Sequence, residues 1–256
     1  MSAMHDLDNV IWKALTTRQT EFAESFGEAR RFMPEVTALG ALREASREGY
    51  ESLAGLVGER GTVALFLDEA YEERVGWQMV AGAPLLQMVC GQEEKPPVLR
   101  TADSPLDSAQ GRLRRLSLHG PVGATSPEVV RLGDKDSVEM MALTGLTKPG
   151  PFGRRTHQLG NYFGIRCEGK LVAMAGERMK VPGWTEVSAV CTHPEHTGHG
   201  YAGILMQEVM RGIWERGETP MLHVREDNVR AIEVYERLGF RTRVRRHFAV
   251  IRRVLR

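Results

Sequence analysis

From residue 127 onward the apolar positions switch between a period of two and a period near 3.6, and the switches fall at glycines and prolines. The pattern predicts strands over 128–132, 162–167, 171–179, 185–191, 221–224 and 240–251, and helices over 137–146, 201–216 and 228–238. Glu168-Gly169 and Pro182-Gly183 leave room only for tight turns, so the strands flanking each pair antiparallel. The later strand-helix-strand passages require parallel crossovers. The expected fold is therefore α/β, with a mixed, mostly antiparallel sheet flanked by helices. In the helix over 201–216, Ile204, Leu205, Val209, Ile213 and Trp214 recur at helical spacing, and Gly217 stops it. Met206 and Met210 on that helix read as core filler.

Before residue 92 the pattern is that of a folded unit without a chemical motif. Asn9 caps a predicted helix that runs on through aromatic positions at Phe22 and Phe26, and a second helix is predicted around 39–56. Residues 62–67 and 85–90 read as buried strands. From 92 to 127 periodicity is poor outside 113–118, and Pro96, Pro97, Pro105, Pro121 and Pro127 punctuate the segment. The simplest reading is a connection between an N-terminal α/β unit over 1–120 and a second unit over 127–256.

Composition narrows the classes. With 256 residues, 42% hydrophobic and 26% charged, the chain can bury a full core as one large domain or two small ones. A formal net charge of +1 argues against a nucleic-acid partner, and no run approaches the ~18 apolar residues of a membrane span. The first eight residues lack the basic and apolar regions of a secretory signal, so a cytoplasmic location is expected. Cys90, Cys167 and Cys191 are odd in number and set among apolar residues, which suits buried reduced thiols better than a disulfide framework. A nucleophilic Cys191 has no evident partner base.

The chemistry concentrates in Val190-Cys191-Thr192-His193-Pro194-Glu195-His196-Thr197-Gly198-His199-Gly200-Tyr201-Ala202-Gly203, where an apolar strand empties through glycines into an amphipathic helix. Small residues let backbone N–H groups approach an anion, and the first helical turn adds unpaired donors and a positive dipole end. The sequel Leu222-His223-Val224-Arg225-Glu226-Asp227-Asn228-Val229-Arg230-Ala231-Ile232-Glu233-Val234-Tyr235-Glu236-Arg237-Leu238-Gly239-Phe240 is a second strand and helix. Its Asn228 and Tyr235 lie seven residues apart, about two turns, and so point to one side. Together the two stretches resemble the coenzyme A-binding half of the GNAT superfamily, the acetyl-CoA-dependent N-acyltransferases, over about 127–256.

That resemblance implies a GNAT-like acyl-CoA N-acyltransferase fold with acetyl-CoA as co-substrate and no metal. It implies that the backbone across Thr197, Gly198, His199, Gly200, Tyr201 and Ala202 holds the pyrophosphate, and that Val190, Cys191 and Thr192 lie beside the thioester. Asn228 would contact the coenzyme arm, and Tyr235 would stand near the sulfur as general acid. The family usually opens the loop with Gln or Arg, and Thr197 stands there instead, which removes a cation. The residues before 127 become either a degenerate copy of the fold or a platform for the acceptor. The acceptor itself, selected in this fold by segments matching 143–155, 179–184 and 241–248, is a small-molecule or peptide amine of illegible identity, as are acyl chain length and any homodimer.

Plainer readings stand beside these. Zinc at His193, His196 and His199 would need a continuous helix, which Pro194, Gly198 and Gly200 oppose. Asn228 also reads as a helix N-cap, and Tyr235 as a packed aromatic. Glu186 is the candidate general base, sharing a strand face with Ser188, Val190 and Thr192 unless a bulge intervenes. The alternative for Glu186 is a solvent-facing carboxylate, and the C-terminal arginines 241–256 read as a solvated strand face. Function then divides between acetyl transfer to a primary amine by direct attack in a ternary complex and a non-catalytic acyl-CoA sensor or interaction module.

Overall fold

The computed structural model describes residues 5–91 and 127–254. The connection expected over 92–127 therefore lies, apart from Pro127, outside the described residues, as does Arg256. The first stretch carries α1 (Val10–Thr16), strands β1 (Ala23–Phe26), β2 (Ala29–Phe32) and β3 (Gly40–Leu42), α2 (Arg47–Val57), β4 (Thr62–Leu67) and β5 (Trp77–Val89). The second carries β6 (Val129–Leu132), α3 (Ser137–Thr147), β7 (Tyr162–Cys167), β8 (Lys170–Val181), β9 (Trp184–Thr192), α4 (Tyr201–Glu215), β10 (Thr219–Arg225), α5 (Val229–Arg237) and β11 (Arg241–Arg253). Among the described residues no helix is long and apolar enough to cross a membrane.

β1, β2 and β3 form a small sheet, while the large one runs β4-β11-β5-β10-β9-β8-β7-β6. Every pair in the large sheet is antiparallel except β9 with β10. β5 lies between β10 and β11, so that Val89 faces Met221 on one side and Arg241 on the other. Strands from both sides of the 92–126 segment thus share one sheet. α4 buries Ile204, Leu205, Val209 and Ile213 on one face of it, against Ile165, Val172 and Leu222. On the opposite face α1 covers Met179, Val181 and Met221, and α3 covers Met174, Ala189 and Cys191.

β9 and β10 pair only from Thr219 opposite Trp184 to Met221 opposite Glu186. Beyond that point β9 continues to Thr192 and β10 to Arg225 without pairing to each other, so the parallel strands splay into a wedge. On β9 the register slips between Ser188 and Cys191, with Ala189 at φ +53°. This bulge reverses the side-chain alternation. Val187 and Val190 share the α4 face, and Ala189 and Cys191 share the α3 face. The face expected to run through Glu186, Ser188, Val190 and Thr192 is therefore broken at Ala189, and Glu186 does not share a face with Val190.

The second half of the chain matches its sequence pattern closely, whereas the first half departs from it. The helix expected to pass through Phe22 and Phe26 ends at Thr16, because 20–22 makes a 3-10 turn and 23–26 a strand of the β1–β2 hairpin. Gly27, at φ +49°, turns that hairpin. The helix expected around 39–56 is strand β3 followed by α2, whose Ser46 cap accepts from the Gly49 N–H at 3.1 Å. Asn9 makes no cap bond, and instead donates through Nδ2 to the Leu42 carbonyl at 2.7 Å.

Candidate active site

The wedge between β9 and β10 opens into a cleft of about 1000 Å³. Its walls include every residue expected to serve catalysis or the coenzyme except Glu186 and His199: Val190, Cys191 and Thr192 on β9, Thr197, Gly198, Gly200, Tyr201 and Ala202 at the mouth of α4, Asn228 at the cap of α5 and Tyr235 on it. Gly200, at φ +76°, starts α4 with no side-chain cap. The N–H groups from Gly198 through Gly203 find no acceptor among the described residues. They form a run of unpaired donors at the positive end of a 15-residue helix, an arrangement whose charge and donors suit an anion. His199 lies outside the cleft lining, stacked on Tyr201 at 5.3 Å with Nδ1 3.1 Å from the His196 and Thr197 carbonyls.

The bulge gives the wedge a second set of donors. His193 N–H donates to the Val172 carbonyl on β8 at 2.7 Å. By alternation, the Val190 and Thr192 N–H groups point the other way, into the wedge. Across it stands Tyr235, whose hydroxyl has no hydrogen-bond partner among the described residues. Burial, with the neighbouring Cys191 adding to it, pushes this phenol up to about 12, so it keeps its proton at neutral pH. Burial also pushes the Cys191 thiol up to about 11, although the Thr147 hydroxyl and the Met174 backbone oppose the rise. Such a thiol is a poor nucleophile.

Asn228 is the cap that its position predicts, since its side-chain oxygen accepts from the Ala231 N–H at 3.3 Å. Its amide nitrogen remains at the cleft. Among the described residues no three His, Cys, Asp or Glu side chains gather as metal ligands would. His193 and His196 meet edge to face at 5.7 Å.

At the apex of the wedge the structure places a network that sequence reasoning did not assemble. Glu186 accepts from Arg178 Nε and Nη2, both at 2.8 Å, from His223 Nδ1 at 2.8 Å, and from the Met179 N–H at 3.3 Å. Burial alone would raise this carboxyl, but the Arg178 guanidinium and the His223 imidazole outweigh it and hold it at about 2. Glu186 is fully buried and does not line the cleft, whereas Arg178 and His223 do. A carboxylate so saturated has little proton affinity, and the solvent-facing alternative is equally wrong. On the far side of the imidazole, Gln87 Nε2 lies 3.0 Å from His223 Nε2, and Gln87 Oε1 accepts from Arg243 Nη1 at 2.7 Å. The tautomer with its proton on Nδ1 satisfies both neighbours of the ring.

Phe66 stacks against His223 at 4.6 Å, and with Phe248 and Leu85 it makes this end of the cleft aromatic and apolar. The sequence signal for Arg178 was available, because Glu177-Arg178 interrupts an otherwise apolar strand that two turns place in the sheet interior. His223 lay within the motif itself but carried no assigned role.

Known proteins share this fold. Residues 162–249 match the family model of FR47-like proteins. No curated protein matches. A GNAT-family protein of known structure from Novosphingobium aromaticivorans DSM 12444 is 33% identical, with a TM-score of 0.79 over 98% of this chain and 100% of that one. A GCN5-related N-acetyltransferase from Kribbella flavida shares the fold at 17% identity and a TM-score of 0.57, with 96% of each chain covered. A tandem GNAT protein from the clavulanic acid biosynthesis pathway shares it at 13% identity and a TM-score of 0.53, over 90% of this chain and 80% of that one. Full-length identity above 30% together with a sheet splayed at β9 and β10 leads to one conclusion: the chain belongs to the GNAT superfamily of N-acetyltransferases.

Proposed function

We propose that the protein moves an acetyl group from acetyl-CoA to a primary amine by direct attack within a ternary complex. The observation that carries this reading is the pairing of an uncapped row of N–H groups, Gly198 to Gly203, with an unpartnered Tyr235 hydroxyl across one wedge. The donors suit a pyrophosphate, and the wedge suits an extended arm entering between strands. Most of the anion's ligands are backbone groups, so Thr197 in place of the usual cation weakens this site without removing it.

The amine nitrogen bonds to the thioester carbonyl carbon while the wedge-facing N–H groups of Val190 and Thr192 stabilise the oxyanion. Collapse breaks the C–S bond, and Tyr235 gives its proton to the leaving thiolate. The proton lost by the amine passes to solvent and restores the phenol. Glu186 acts as a positioning residue that holds Arg178 and His223 and takes no proton itself.

The test is calorimetric titration of the protein with acetyl-CoA beside a Gly203→Trp variant. Gly203 lies in the first turn of α4 at ordinary φ and lines the cleft, and a Cβ added there would have nothing within 4 Å, so a large side chain at this position starts from open space beside the N–H row. Binding is expected for the natural chain and lost in the variant; no binding by the folded natural chain overturns the reading. In Tyr235→Phe, binding persists and kcat falls by about 10²-fold or more. Unchanged turnover would remove Tyr235 from the mechanism.

A further inference from the structure

Arg178 is nine-tenths buried, and Nε and Nη2 are its only nitrogens with acceptors among the described residues. Nη1 is left over. It belongs to a side chain that lines the cleft, and a Cβ on Gly150, in the loop after α3, would lie 3.8 Å from it. On a side chain otherwise buried, this nitrogen keeps two protons that no acceptor among the described residues uses, and it offers them to whatever occupies the cleft.

A second cation lines the same cleft, two residues before Gly150. This is Lys148, which makes no ion pair among the described residues and ends α3 in the left-handed conformation at φ +50°. Glycine is the residue of least strain at such a position, and a lysine there keeps an ammonium at the cleft mouth at some conformational cost. Arg178 is paired with Glu186 through Nε and Nη2, which leaves Nη1 as its free arm, and among the described residues the one carboxylate lining the cleft is Glu233 on α5. The lining also includes the apolar Phe66, Leu85 and Phe248.

Resting on the acetyl-transfer reading above, we infer that the acceptor is an amine carrying a carboxylate and an apolar or aromatic group, its carboxylate bound by Arg178 Nη1 and Lys148. Diamines and polyamines, which offer no carboxylate to Arg178 Nη1 and would bring a second positive charge to the unpaired Lys148, are disfavoured by the same groups.

The test compares matched probes on the full chain saturated with acetyl-CoA: L-phenylalanine, its amide, 2-phenylethylamine and 1,4-diaminobutane. L-Phenylalanine is expected to be acetylated with a kcat/KM at least tenfold above each of the others. Lys148→Ala, at an exposed site, and Arg178→Lys, which keeps a cation beside Glu186 but lacks the second arm, should each raise the KM for L-phenylalanine severalfold while the KM for acetyl-CoA holds. Turnover led by 2-phenylethylamine or the diamine overturns the inference and leaves acetyl transfer standing. Failure of the folded protein to bind acetyl-CoA overturns both. If the coenzyme binds and no probe turns over, titration of 3-phenylpropanoate into the coenzyme A complex decides: binding lost in Lys148→Ala supports the carboxylate site, and no binding overturns it.

Discussion

Glu186 is the residue whose role changed most between sequence and structure. A carboxylate on the strand beside the cleft invites the part of general base, and one-dimensional information gives no sign that Arg178, His223 and the Met179 N–H together occupy its lone pairs. Its pH signature distinguishes the two roles. The folded carboxyl is held at about 2 against an ordinary 4.5, so the network's stabilisation is complete above about pH 4.5 and is lost as pH falls toward 2. Its size over that window is on the order of 3 kcal/mol. Glu186→Gln leaves Arg178 buried without a counter-charge and should cost about 3–5 kcal/mol at pH 7. Denaturant midpoints measured from pH 7 to pH 2.5 should show natural chain and variant converging at the acid end. A gap that stays constant with pH would mean that the carboxylate is not held as the geometry implies.

At the scale of elements, legibility followed local chemistry. Strands β7 to β9 and helices α4 and α5 were readable because turns such as Glu168-Gly169 and Pro182-Gly183 and the apolar spacing of α4 agree with their tertiary setting. β5 was half legible. Its second half is buried and apolar, but its first half, Gln78 to Gly82, is exposed and holds no alternation, so nothing local extends the strand back to Trp77. The bulge at Ala189 was illegible as well, since alanine carries no signal for a left-handed backbone. Yet this one residue aims the Val190 and Thr192 N–H groups into the wedge. A β-branched side chain has no relaxed place at φ +53°, and Ala189→Val should therefore destabilise the fold by about 2 kcal/mol, read from chemical unfolding.

For the whole molecule, the instructive feature is how the halves interlock. The sequence suggested two units, whereas strands from both share one sheet and Phe66 and Leu85 of the first half help line the cleft. Of the β11 arginines that read as a solvated face, Arg241, Arg245 and Arg252 are exposed, whereas Arg243 and Arg246 tie the halves together: both bond to Asp8, and Arg246 also pairs with Asp68. β11 has β4 and β5 as its two neighbours. A chain of residues 127–256 alone should leave β11 unpaired and β10 with a free edge, and is expected to stay unfolded by circular dichroism unless residues 1–126 are supplied. Independent folding with coenzyme binding would refute that dependence. The insertion of β5 between β10 and β11 also sets a timetable at the ribosome. Both partners of β5 are translated long after it, and at about 5–20 residues per second β11 emerges on the order of 10 to 30 s later. Through that interval a 13-residue strand waits with both edges open. Newly made chains should accordingly be clients of holding chaperones, and slower translation of the second half should lower the soluble yield.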